Sequence, residues 1–308
     1  MSATALYGEA LLSLRRLRRG PSPPEGESLA GLEVLVLRLL RSLEAGDQTL
    51  LALTARPEGS VGAHCVNTAI LSLWVALGKD WPDDLLAPLG AAALLHAWNE
   101  PRGLIRLPGG TPAADECRRL RALQRRDPAP LLQSLAAGGP ILASAAKILA
   151  AERLGPAAEG GYSDPTRLSA ELFRICDAYS AMSHPRGQRK AMPAHEAVKS
   201  LIKLHETQFD GRSVVLFVSR MSLFPPGTCV RMSNGDIGYV TQVHANFPTR
   251  PTVQALLDQN GALLRKPELH VLKGQATMNA LKTADFSTVK VSDRRLGARL
   301  RTARMRPS

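Results

Sequence analysis

From residue 1 to about residue 224 the apolar positions recur at three- and four-residue intervals, the spacing of a helix face; beyond that point they alternate with polar ones, the spacing of a strand. The pattern predicts helices over 1–20, 29–44, a short one from 48, then 61–77, 85–98, 113–126, 130–137, 141–154, 167–182, 193–209 and 213–223. Within 29–44, Leu32, Leu35, Val36 and Leu39 mark one buried face. The stretch 61–77 is apolar or small on most faces, so it is expected to be a central helix with no solvent side. Strands are expected over 228–232, 237–244, 252–258 and 263–272, separated by the turn signals Asn234-Gly235, Phe247-Pro248 and Asn260-Gly261. Pro/Gly-rich stretches at 20–28, 101–112 and 155–165 read as linker and loops. The expected fold is therefore mainly α, a helical bundle with a small C-terminal antiparallel β-module. The chain divides into an N-terminal helical segment with its linker (1–55), a helical domain (56–224), the β-module (225–273) and a basic tail with little core potential (274–308), expected to be disordered.

Composition narrows this. Of 308 residues 44% are hydrophobic but only 4% aromatic, a balance that favours Leu- and Ala-rich helix over sheet. Cys65, Cys117, Cys176 and Cys229 form no CxxC pair, so reduced thiols are expected, not a disulfide framework or a zinc cluster. No apolar run approaches the ~20 residues of a membrane span, and the N-terminal arginines follow the first apolar stretch where a secretory leader has its charge in front. A cytoplasmic location is expected. The net charge of +12 is concentrated in Arg15, Arg16, Arg18 and Arg19 and in the six arginines between 294 and 306. Terminal basic clusters with few aromatics and no recognition motif argue against a nucleic-acid binder.

One segment is more specific: Cys176-Asp-Ala-Tyr-Ser-Ala-Met-Ser-His-Pro-Arg-Gly-Gln-Arg-Lys190, followed by Met192-Pro-Ala-His-Glu-Ala and Gln208-Phe209-Asp210. It resembles, in register, the A-D-x-Y-D-A-L-T-S-D-R-P-Y-R-K segment and its continuation in the bacterial HD-GYP phosphodiesterases, and the resemblance runs from about Ser60 to Leu223. Leu223-Phe-Pro-Pro-Gly-Thr and Met232-Ser-Asn-Gly-Asp-Ile-Gly look like the short β-module often found behind that domain. The resemblance implies an HD-domain-like bundle in which His and Asp side chains hold two or three iron or manganese ions that activate a water against a phosphodiester of cyclic di-GMP.

Set against that pattern, His64, His96 and Asp177 stand at metal-ligand positions, and Asp127 is a further oxygen donor where the family has a histidine. The carboxylate that bridges the metals falls at Ala97, the paired histidines at Ala150 and Ala151, a glutamate ligand of some members at Ser60, and the Gly-Tyr-Pro loop at Gly161-Tyr162-Ser163. A two-metal centre is not expected from this set. Resident metal is not expected either, with His64, His96 and Asp177 forming a buried hydrogen-bonded cluster; the alternative is a single Fe, Mn or Zn and a reduced phosphohydrolase. Arg186, Arg189 and Lys190 correspond to the positions that face the dinucleotide in active relatives and are candidate phosphate or nucleotide contacts. The expected function is a catalytically degenerate signalling protein that binds cyclic di-GMP or a protein partner, a GGDEF-type domain among the candidates through the Gly161-Tyr162 remnant.

Overall fold

The computed structural model describes residues 2–18, 23–46, 48–56, 58–78, 81–98, 128–153, 164–185, 191–204, 208–245, 247–274 and 280–283. Among them the helices are α1 (Ala3–Leu17), α2 (Glu27–Glu44), α3 (Thr49–Leu53), α4 (Val61–Ala76), α5 (Asp83–Leu95), α6 (Ala129–Ala137), α7 (Pro140–Arg153), α8 (Pro165–Ser183), α9 (Ala194–Leu204) and α10 (Gly211–Met221). Short polar side chains start several of them: Ser2, Ser60, Asp164 and Asp210 each accept a hydrogen bond from a first-turn amide, filling a donor that a helix start leaves open.

α4 is the axis. Every residue from Gly62 to Ala76 is buried, as its all-round apolar sequence requires. α1, α2, α3, α5, α8 and α10 pack around it, and α7 closes the far side of α5 and α8. At Gly90 of α5, side chains of both α2 and α4 approach the helix closely. A Cβ there would lie 2.9 Å from Val36 Cγ1 and 3.2 Å from both δ-carbons of Leu73.

The β-module is an antiparallel sheet with strand order β4-β3-β2-β1-β5, built from β1 (Cys229–Met232), β2 (Ile237–Gln242), β3 (Thr252–Leu257), β4 (Leu263–Val271) and β5 (Ala280–Thr283). Gly235 turns the first hairpin with φ +92°. The fifth strand corrects the expectation of a wholly disordered tail after 273: Ala280–Thr283 pairs with β1 across a bulge. Four residues without clear alternation carry too little pattern to be seen as a strand on their own, and β1 supplies the order. The module is also tied to the N-terminal segment. Gln48, just before α3, accepts from Val243 N at 3.0 Å and donates to Val243 O at 3.4 Å.

The helix boundaries differ from expectation at α9, which ends at Leu204, and at α5, which begins at Asp83 and ends at Leu95, so that His96 is its C-cap and not an interior residue. The helix expected over 113–126 lies outside the described residues. Two glycines test the packing. Gly8 of α1 has open space around a built Cβ, so Gly8→Ala should stabilise the fold by up to ~1 kcal/mol from helix propensity. Gly90→Ala gains the same propensity but overpacks against the stiff Val36 side chain, a cost of ~1–3 kcal/mol. Thermal unfolding should therefore move up for the first variant and down for the second.

Candidate functional site

Three packed helices bring His64, His96 and Asp177 together. His64 sits one turn inside α4, its backbone amide bonded to the carbonyl of the N-cap Ser60 at 3.0 Å; His96 caps α5; Asp177 lies on the face of α8 turned to both. The Nε2 atoms of His64 and His96 lie 2.8 and 3.1 Å from Asp177 Oδ1 and 3.2 Å from each other. The three donors thus form a nearly equilateral triangle, and they are a candidate His/Asp metal-binding cluster.

The other ring nitrogens say how these side chains are held. His96 Nδ1 lies 2.7 Å from Ala93 O. A carbonyl only accepts, so Nδ1 carries the proton; Nε2 then donates to Oδ1 when the ring is protonated and offers a lone pair when it is neutral. His64 Nδ1 lies 3.1 Å from Ser180 Oγ, and Ser180 is one turn beyond Asp177 on α8. The edge of Phe173 packs on His96 at 5.2 Å between ring centres. Asp177 Oδ1, though flanked by both imidazoles, has no well-directed hydrogen bond. Burial alone would raise the Asp177 carboxyl; the facing His96 and His64 rings outweigh it and hold the group well below the ordinary carboxylate range. Lone pairs and a carboxylate aimed at one point are the donor set a cation satisfies, and a backbone carbonyl on the remote nitrogen is the usual support of a ligating histidine. An ion ~2.1 Å from each donor needs donor separations of ~3.0–3.4 Å, close to those present. The residues fit one ion.

Among the described residues no further donor joins these three. Ala97 is 1% exposed and part of the core, with the Arg18 guanidinium donating to its carbonyl. Ala150 and Ala151 are in the last turn of α7, which packs on α5 and α8, and neither offers a donor atom. Cys176, next to Asp177, is fully buried; burial pushes its thiol up to about 12, so it stays protonated and inert. Ser60 serves as the N-cap of α4.

A cleft opens beside His64 at the start of α4, lined by Glu58, Ser60, His64, Ser180, His184 and Pro185 among others. Asp127, Arg186, Arg189, Lys190, Gly161 and Tyr162 lie outside the described residues. The structure adds residues to which the sequence pattern assigned no role. His184 is buried, with Nδ1 2.9 Å from Ser180 O and Nε2 2.6 Å from Thr54 O, and Asn67 of α4 joins it to the Tyr7 hydroxyl of α1. The available signal was that Asp177, Ser180 and His184 follow one another at helical spacing.

Since Asp177 is depressed in the folded state, its contribution is complete above the ordinary carboxylate value near 4 and is lost as the pH falls through the folded value. With the side chain 36% exposed, solvent screening limits this to on the order of 1 kcal/mol. In chelator-treated protein, denaturant unfolding between about pH 5 and about pH 2 should therefore show a shallower loss of stability for Asp177→Asn than for wild type. Equal acid slopes would contradict the assignment.

Residues 229–289 match the KOW domain associated with HD domains, a match that takes in the whole sheet including β5. The chain is 29% identical over 87 residues to a cyclic di-GMP phosphodiesterase of Pseudomonas aeruginosa, a match covering 28% of this chain and 21% of the relative. The chain thus spans about a fifth of that relative's length. No solved structure matches. Among the described residues no helix is long and apolar enough to cross a membrane. A helical bundle with a His/Asp cluster is thus followed by a module that matches the KOW domain associated with HD domains, and 87 residues of the chain are similar to a cyclic di-GMP phosphodiesterase.

Proposed function

We propose that this chain is an HD-type signalling protein whose site holds one divalent ion on His64, His96 and Asp177 and binds a phosphorylated ligand, cyclic di-GMP first among them, without hydrolysing it by the two-metal route. The observation that carries the reading is the triangle of Nε2, Nε2 and Oδ1 at 2.8–3.2 Å, with the far nitrogen of His96 committed to a carbonyl. Two imidazoles and a carboxylate on one face of an ion are a known arrangement for Fe(II), and the same donors accept Mn or Zn. Such an ion supplies positive charge for a phosphate oxygen and lowers the pKa of a coordinated water. The chain's own residues orient it: Ala93 O and Ser180 Oγ fix the two rings, and Phe173 covers His96.

The degenerate character rests on Ala97, Ala150 and Ala151. Without a bridging carboxylate or the paired histidines, no described residue is left to hold a second cation within ~4 Å of the first. The small cleft beside His64 is the proposed edge of the ligand site; Pro185 lines it, and the next residue in the chain is Arg186, which with Arg189 and Lys190 is the proposed phosphate-facing set.

Metal analysis and cyclic di-GMP turnover measured on one sample of the full chain test this. About one iron, manganese or zinc per chain is expected, absent from His64→Ala and Asp177→Ala, with metal-dependent calorimetric binding of cyclic di-GMP and no product. Ser180→Ala should retain the ion with affinity about ten-fold lower, as for other residues that support a ligand. Metal-free wild-type protein would restore the simple hydrogen-bonded cluster, and turnover of cyclic di-GMP would replace the binding reading by a one-metal phosphodiesterase.

A further inference from the structure

α2 has two unlike faces. One packs into the core through Leu32, Val36, Leu39 and Leu43. On the opposite side Glu27, Gly31, Val34, Arg38 and Arg41 follow at alternating intervals of four and three residues, a single stripe of the kind that seats another helix. Its middle is apolar and bare: Val34 is 55% exposed and Leu37 beside it 36%, with Leu12 of the neighbouring α1 at 54%. A Cβ built on Gly31 meets nothing within 4 Å, so the glycine is an open notch on this face and not a close approach inside the fold.

We propose that this face is where a second copy of the chain docks, α2 against α2, antiparallel, with the two-fold axis at Val34. The charges select that register. Glu27 and Arg41 stand equally far from Val34 on either side, so the antiparallel pair sets Glu27 of each copy against Arg41 of the other. A parallel pair sets Glu27 on Glu27 and Arg41 on Arg41, which repels. Shape agrees with charge. Leu37 is three residues to one side of Val34 and Gly31 three to the other, so each Leu37 enters the notch at Gly31 opposite. The Arg38 stem crosses Ala30 opposite while its guanidinium keeps the ion pair with Glu9 of its own α1. The contact is isologous and closes at two copies. A seam along one 18-residue helix, about 27 Å long, is smaller than the ~800 Å² per partner of a standard interface, so the dimer is expected in the micromolar range. None of this depends on the metal site.

Sedimentation of the full chain from about 1 to about 100 µM tests it, with circular dichroism confirming that every variant is folded. Wild type should pass from monomer to dimer. Val34→Asp, Glu27→Arg and Arg41→Glu should each raise the dissociation constant ten-fold or more, and the double variant Glu27→Arg/Arg41→Glu should return it to within about three-fold of wild type. Recovery in the double variant is the decisive result, because a structural role for either residue would not produce it. A monomer at all concentrations, a dimer indifferent to Val34→Asp, or a double variant no better than the singles would each overturn the proposal.

Discussion

A helix buried on every side must satisfy its polar side chains on its own backbone or against its neighbours, and α4 carries several. His64 reaches Ser180 and Asp177 on α8; Asn67 takes the Tyr7 hydroxyl of α1 and approaches His184; Thr68 turns back to the carbonyl of His64. A buried amide or imidazole left without a partner costs about 1–3 kcal/mol, so these contacts determine which neighbours α4 accepts and at what rotation. The site is one part of that network. Asp177 and Ser180 lie along one face of α8 and His184 is its C-cap, which also fixes how α8 docks.

This explains what could be seen from the sequence. The elements were legible wherever burial is one-sided or complete, as in α2 and α4, because the residue pattern is the burial pattern. His64, His96 and Asp177 were legible as a set through resemblance, and their convergence follows from packing three helices whose apolar faces the sequence also marks. Their supports were not. Nothing in the chain before the fold tells that Ser180 meets His64 across 116 residues or that Thr54 O meets His184, since a serine or a carbonyl has many partners open to it and only tertiary contact chooses. β5 was hidden for the same reason. A four-residue segment with one leucine becomes a strand only because β1 offers an unpaired edge.

One ion and two ions ask different things of the same bundle. A pair of cations needs a carboxylate shared between them and enough further donors to offset four positive charges; a single ion needs three donors on one face and leaves its other positions open. Position 97 decides between these locally. As alanine it joins the core at 1% exposure, and the Arg18 guanidinium adds positive charge beside its carbonyl. On the reading proposed above, a methyl group at that place and an arginine beside it trade cation-holding charge for packing and for attraction toward anions, so that binding of a phosphorylated ligand survives where in-line hydrolysis between two metals does not.

The N-terminal segment accordingly belongs to the working structure. α1 contributes Tyr7 to the network around Asn67 and His184, and Arg18 to the carbonyl next to His96. α2 packs against both α4 and α5, which carry the two histidines. Burial raises the Tyr7 hydroxyl above its ordinary range, so it remains a donor to Asn67 at any physiological pH and the link does not titrate. Gln48 then fastens the start of α3 to the end of β2. The helices on either side of the Pro/Gly-rich linker, α1 and α2, both pack against the central helix α4. The face of α2 left uncovered by that packing is thus carried on a helix that packs against both histidine-bearing helices.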